Sequence, residues 1–157
     1  MKPTTWIVAA DASRARVLQI AGPEKLVEIE NLPNPEGRAH ERDMQTDAEP
    51  RFNGHGGVGK PGASSAGGQA SDRETQGPRE HAVSTFARRV GDYLEKARTD
   101  HRYEKLVVIA PPKFLGALRK ELGKEVEKLI ADEVPKDLSW LSQRELEGYF
   151  TKDGRSL

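Results

Sequence analysis

Forty-seven consecutive residues, Pro33 to Arg79, hold nine of the chain's fifteen glycines and five of its ten prolines, with Met44, Phe52 and Val58 as the only large apolar side chains. A stretch so poor in apolar side chains cannot bury enough surface to offset the entropy of ordering it. Any core must therefore be assembled from the residues on either side. The segment's charges nearly cancel, six Lys and Arg against seven Asp and Glu, so it is no basic arm. An insertion of this length within a compact domain is uncommon and is usually functional or disordered. At 157 residues the chain has the length of one domain. We divide it into an N-terminal strand meander over 1–32, a flexible Gly/Pro-rich loop over 33–79, and a helix-strand-helix remainder over 80–157.

The flanks carry the periodic signals. Trp6 to Ala10 is a nearly all-apolar run, expected of a strand covered on both faces. Asp11 to Arg14 reads as a turn, Arg16 to Ile20 as a second strand, and Leu26 to Glu30 as a third beyond the Gly22-Pro23 break. Val83, Phe86, Ala87, Val90, Leu94 and Ala97 recur with the spacing of one helix face, which predicts a helix over 80–99. Leu106 to Ala110 reads as a central buried strand ending at Pro111-Pro112. A helix should follow, with Phe114, Leu115, Leu118 and Leu122 as its apolar face and Gly123 as its stop. Residues 126–137 should begin as a helix and end as a strand, and Gln143 to Phe150 should close the chain as a helix. The order implies an α/β fold with a mixed central sheet flanked by helices.

The absence of Cys excludes disulfides, thiolate metal sites and a cysteine nucleophile. His40, His55, His81 and His101 lack the close helical pairing of metal ligands, so neither a metal nor another cofactor is expected. Twenty-five basic residues balance twenty-five acidic ones, so any nucleic-acid contact must be local. Asp11, Ser13, Arg14 and Arg16 cluster at a strand end, where α/β folds often bind ligands. Two readings stay open: the arginine pair holds a phosphate, or Asp11 caps a hairpin turn and the arginines point to solvent. Arg88 and Arg89, with Lys96 and Arg98, form a second basic set on the predicted helix, either a nucleic-acid contact or a solvated face. Within the loop, Gly67-Gly68-Gln69 could bring a backbone amide and a carboxamide close to a ligand.

These residues carry a resemblance. A Gly-Gly-Gln loop before a helix bearing Arg88, Arg89, Lys96 and Arg98 resembles the middle domain of archaeal and eukaryotic peptide chain release factors and of Pelota, an α/β domain of ribonuclease H-like type. Closer still, the chain resembles the bacterial family named "protein required for attachment to host cells". The marks are Trp6-Ile7-Val8, Asp11 with Ser13 to Arg16, Arg51-Phe52, Leu106 to Pro112, Leu115-Gly116 with Leu118-Arg119, and Lys136-Asp137-Leu138. The release-factor likeness implies a catalytic tip of Gly67, Gly68 and Gln69, in which the glutamine amide stabilises departing charge and its side chain positions water. It implies a ribosome or tRNA as partner and possible peptidyl-tRNA hydrolysis. Ser64, Ser65 and Ala66 depart from the basic flank of the release factors. The family name implies instead a non-enzymatic factor for attachment, working through a protein partner. No signal peptide or membrane span is expected, which makes the cytoplasm the expected location.

Overall fold

The computed structural model describes residues 3–37 and 77–152. Five strands and four longer helices occur among them, and residues 35–37 are helical as well. The strands and longer helices are β1 (Thr5–Ala10), β2 (Arg14–Gly22), β3 (Lys25–Pro33), α1 (Pro78–Thr99), β4 (Lys105–Ile109), α2 (Pro112–Glu121), α3 (Lys124–Leu129), β5 (Ile130–Val134) and α4 (Gln143–Lys152). The strands form one mixed sheet in the order β3-β2-β1-β4-β5. β1, β2 and β3 are antiparallel neighbours, as a meander requires, whereas β4 runs parallel to β1 and β5 parallel to β4. This is the α/β architecture with helix-flanked mixed sheet expected from the sequence.

The all-apolar run of β1 has the expected cause. Alternate side chains of a strand face opposite ways. Trp6, Val8 and Ala10 enter a core with Phe86, Val90 and Leu94 of α1, Phe114 and Leu118 of α2, and Val126 of α3. Ile7 and Ala9 enter a second core with Leu18, Leu26, Ile109, Val134, and Leu146 and Phe150 of α4. Each buried large side chain contributes roughly 1.5–3 kcal/mol, so the central strand anchors both layers. On the first face α1 and α2 approach closely: a Cβ at Gly91 would lie 3.1 Å from the Glu121 carbonyl oxygen.

Several boundaries differ from the sequence reading, for physical reasons. β3 continues to Pro33, and α1 starts at Pro78, because proline lacks an N–H only where none is needed, at a strand edge or in a helix's first turn. α2 stops at Glu121, and Gly123 serves as N-cap of α3 rather than as the stop itself.

β3 is an edge strand, and several of its backbone polar groups are occupied. The Leu26 amide donates to Glu147 at 2.8 Å, and the Leu26 carbonyl accepts from Gln143, both residues of α4. The Asn31 amide donates to the Glu30 carboxylate at 3.2 Å, and the Pro33 carbonyl accepts from Arg89 of α1 at 3.3 Å. Occupied groups of this kind deny an incoming strand its ladder.

Candidate functional site

β1 and β4 run parallel, so the connecting helix α1 runs back antiparallel to both. The Asp11–Arg14 turn lies at the sheet rim where β1, β4 and β5 end side by side. Open α/β sheets bind ligands at that rim, and there the Asp11–Arg14 turn gathers the densest polar network among the described residues.

Asp11 organises the turn as an Asx cap. Its Oδ1 accepts from the amides of Ser13 at 2.8 Å and Arg14 at 2.9 Å and from the Ser13 hydroxyl at 2.9 Å, while the Asp11 amide donates to the Arg14 carbonyl at 2.9 Å. Its Oδ2 accepts from Ser139 Oγ at 2.8 Å. Ser139 is fully buried in the connection from β5 to α4, and its hydroxyl also lies 3.1 Å from Asp137 Oδ1. One hydroxyl hydrogen thus serves two carboxylates.

The chain leaving β3 is fastened to the same turn. Asn34 is buried; its amide donates to the Ser13 carbonyl at 2.9 Å and its carboxamide to the Ala12 carbonyl at 2.7 Å. Gly37 packs so tightly that a Cβ there would overlap the Ala12 carbonyl oxygen and stand 2.7 Å from Asn34 Nδ2. Only glycine fits.

Arg16 corrects the expectation that the turn arginines point to solvent. It is only 8% exposed. Its Nε pairs with Glu28 at 2.8 Å, and its Nη1 donates to the carbonyls of Ser139, at 3.1 Å, and Leu141. The guanidinium is committed to holding the 139–141 connection against β2. Arg14 is different: its Nε is shielded from water with no hydrogen-bond partner, and no ion pair engages it among the described residues.

The second basic set lies on α1. Arg88 pairs with Glu121 at 3.4 Å, Lys96 with Asp100 at 3.8 Å, and Arg98 with Glu95 at 2.6 Å. Arg89 donates to Pro33 and sits 5.4 Å over the Phe86 ring. Arg98 holds the Glu95 carboxyl below the usual carboxylate range through its hydrogen bond. His81 and His101 are exposed and far apart in the chain, and no metal-holding group of His, Asp and Glu occurs among the described residues. Gly67, Gly68 and Gln69 lie outside the described residues, as do His40 and His55.

The structure therefore joins Asp11, Ser13 and Arg16, from one end of the chain, to Asp137 and Ser139 from the other. Sequence reasoning passes over Ser139, which sits in ordinary loop composition. Asn34, between Pro33 and Pro35, carries a turn signal but none for its partner.

Comparison with known proteins adds a family to this geometry. The family model described as "Protein required for attachment to host cells" matches residues 6–150. The chain belongs to that family. The match reaches from β1 into α4, so the Asp11 network lies wholly inside the matched region. An uncharacterized protein of Rickettsia prowazekii (strain Madrid E) is 43% identical over 54 residues, which is 33% of this chain and 36% of that relative. The chain thus aligns with about a third of the length of the curated relative it matches. No helix among the described residues is long and apolar enough to cross a membrane.

Proposed function

We propose that this host-attachment protein is a non-enzymatic factor required for bacterial attachment to host cells, acting as a protein-interaction module. The family match over residues 6–150 carries this reading. The rim supports it: the polar groups of Asp11, Arg16, Asn34 and Ser139 are engaged in holding connections together. That arrangement serves a scaffold presenting a surface. In this reading the protein works from the cytoplasm and its effect on attachment is indirect. Deletion of the gene should lower the count of bacteria bound to cultured host cells, and the full chain supplied in trans should restore it. Undiminished adherence in the deletion strain would overturn the proposal. Protease treatment of intact bacteria should leave the protein whole; its loss would place it on the cell surface.

A second reading rests on Gly67-Gly68-Gln69 and its release-factor likeness. Here the protein is a ribosome- or tRNA-associated accessory factor, with Gln69 supplying a donor at the ester of peptidyl-tRNA and Arg14, Arg16, Arg88 and Arg89 near the nucleic acid. The protein should then co-sediment with ribosomes at low salt, and Gln69→Ala should abolish peptidyl-tRNA turnover. Turnover unchanged by that substitution would remove the catalytic role.

A further inference from the structure

α2 turns outward three residues that its packing does not explain. With Phe114, Leu115 and Leu118 as the buried face, the 3.6-residue turn puts Lys113, Gly116 and Lys120 on the opposite side. On one flank Glu121 receives Arg88 of α1, and on the other Arg119 meets Glu133 of β5. The lysines fall between these two pairs. Both are exposed, and neither has an ion-pair partner among the described residues. Lys124, at the start of α3, is likewise exposed and has no ion-pair partner among the described residues. In a chain of zero formal net charge, this is a local concentration of free cations.

Gly116 is the independent observation. A Cβ built there would meet nothing within 4 Å, so packing makes no demand for glycine. Glycine is also among the poorest helix formers. It weakens α2 and returns nothing to the core. What it does provide is a saddle between two ammonium groups, separated by seven residues or about 10 Å of helix, where another backbone could come close. Gly148 of α4 is equally open, but its helix carries the opposite charges Arg144 and Glu145 nearby.

We infer that this face of α2 receives the phosphate backbone of a double-stranded nucleic acid, with Lys113, Lys120 and Lys124 on phosphates and the strand seated over Gly116. Lysine binds phosphate as a point charge. The face carries no aromatic ring for stacking bases, and no apolar side chain to enter a lipid surface or anchor in a protein pocket. It can therefore read charge but not sequence. This inference is independent of the attachment proposal.

The test is fluorescence anisotropy of a labelled 20-base-pair DNA duplex of arbitrary sequence with the full chain, titrated with salt from about 50 mM. Three phosphate contacts predict a slope of log K against log salt near −2.7, at about 0.9 per contact, and each single Lys→Ala change should reduce it by about 0.9. The combined K113E, K120E and K124E variant should bind at least tenfold more weakly with an unaltered circular dichroism spectrum. Gly116→Glu should weaken binding while the protein stays folded. Three results would overturn the inference: no binding at low salt, an undiminished slope in the triple variant, or preference for phosphatidylserine vesicles over the duplex.

Discussion

Ser139 Oγ donates to Asp11 Oδ2 at 2.8 Å across 128 residues of sequence, tying the β5–α4 connection to the turn between β1 and β2. Asp11→Ala removes the acceptor of four hydrogen bonds and leaves the buried Ser139 hydroxyl with only Asp137. We expect a loss of about 2–4 kcal/mol in urea unfolding, with Asp11→Asn costing less because one acceptor oxygen remains. Ser139→Ala should cost about 1 kcal/mol, and the pair should be non-additive by at least ~0.5 kcal/mol.

Arg16 and Glu28 form the least exposed ion pair among the described residues, with side-chain exposures of 10% and 36%. Arg16→Ala also strips the carbonyls of Ser139 and Leu141 of their donor. It should destabilise by about 2–4 kcal/mol, whereas Glu28→Gln, at the wetter end, should cost about 1 kcal/mol or less. Equal effects in thermal melts would show that the carbonyl contacts contribute nothing.

Two glycines should respond oppositely to the same substitution. Gly37→Ala forces a methyl group into the Ala12 carbonyl and should cost about 1–3 kcal/mol. Gly116→Ala meets open space within a helix and should gain about 0.5–1 kcal/mol. Melting temperatures moving in the same direction would contradict the packing described.

Tyr103 supplies a pH signature. Burial pushes its hydroxyl up to about 12, and that hydroxyl donates to the Leu94 carbonyl at 2.8 Å. The folded state holds this proton more tightly than the unfolded chain, whose tyrosine titrates near 10. The contribution is therefore complete below pH ~10 and lost as pH rises through ~12. Urea midpoints should fall across that window, on the order of 2 kcal/mol in total. Tyr103→Phe should flatten this fall; an unaltered slope would assign it to other groups.

The covered edge of β3 gives the last expectation. Replacing Gln143 and Glu147 together by alanine would expose the Leu26 amide and carbonyl. Self-association measured by sedimentation should rise. A concentration-independent profile in the double variant would show that the edge has further protection.

The scaffold was largely legible in the sequence because its signals are local. A continuous apolar run marks β1 as covered twice, and the spacing from Val83 to Ala97 marks the buried face of α1. The rim was legible only in part. Asp11 two residues before Ser13 announces a cap, but nothing local tells that Arg16 is buried: an arginine reads as surface until its carbonyl partners, here at 139 and 141, are brought to it. Ser139 and Gly37 draw their roles from neighbours more than twenty residues distant, which no window of sequence contains. The open face of α2 was hidden for a different reason. Lys113, Gly116 and Lys120 gain meaning only once packing fixes which side of the helix is inward.

Gly37, locked against Ala12, and Asn34 beside it fasten the chain leaving β3 to the turn between β1 and β2. Segments clamped in this way exchange their amide hydrogens as one unit, so the turn and the exit of β3 open together or not at all.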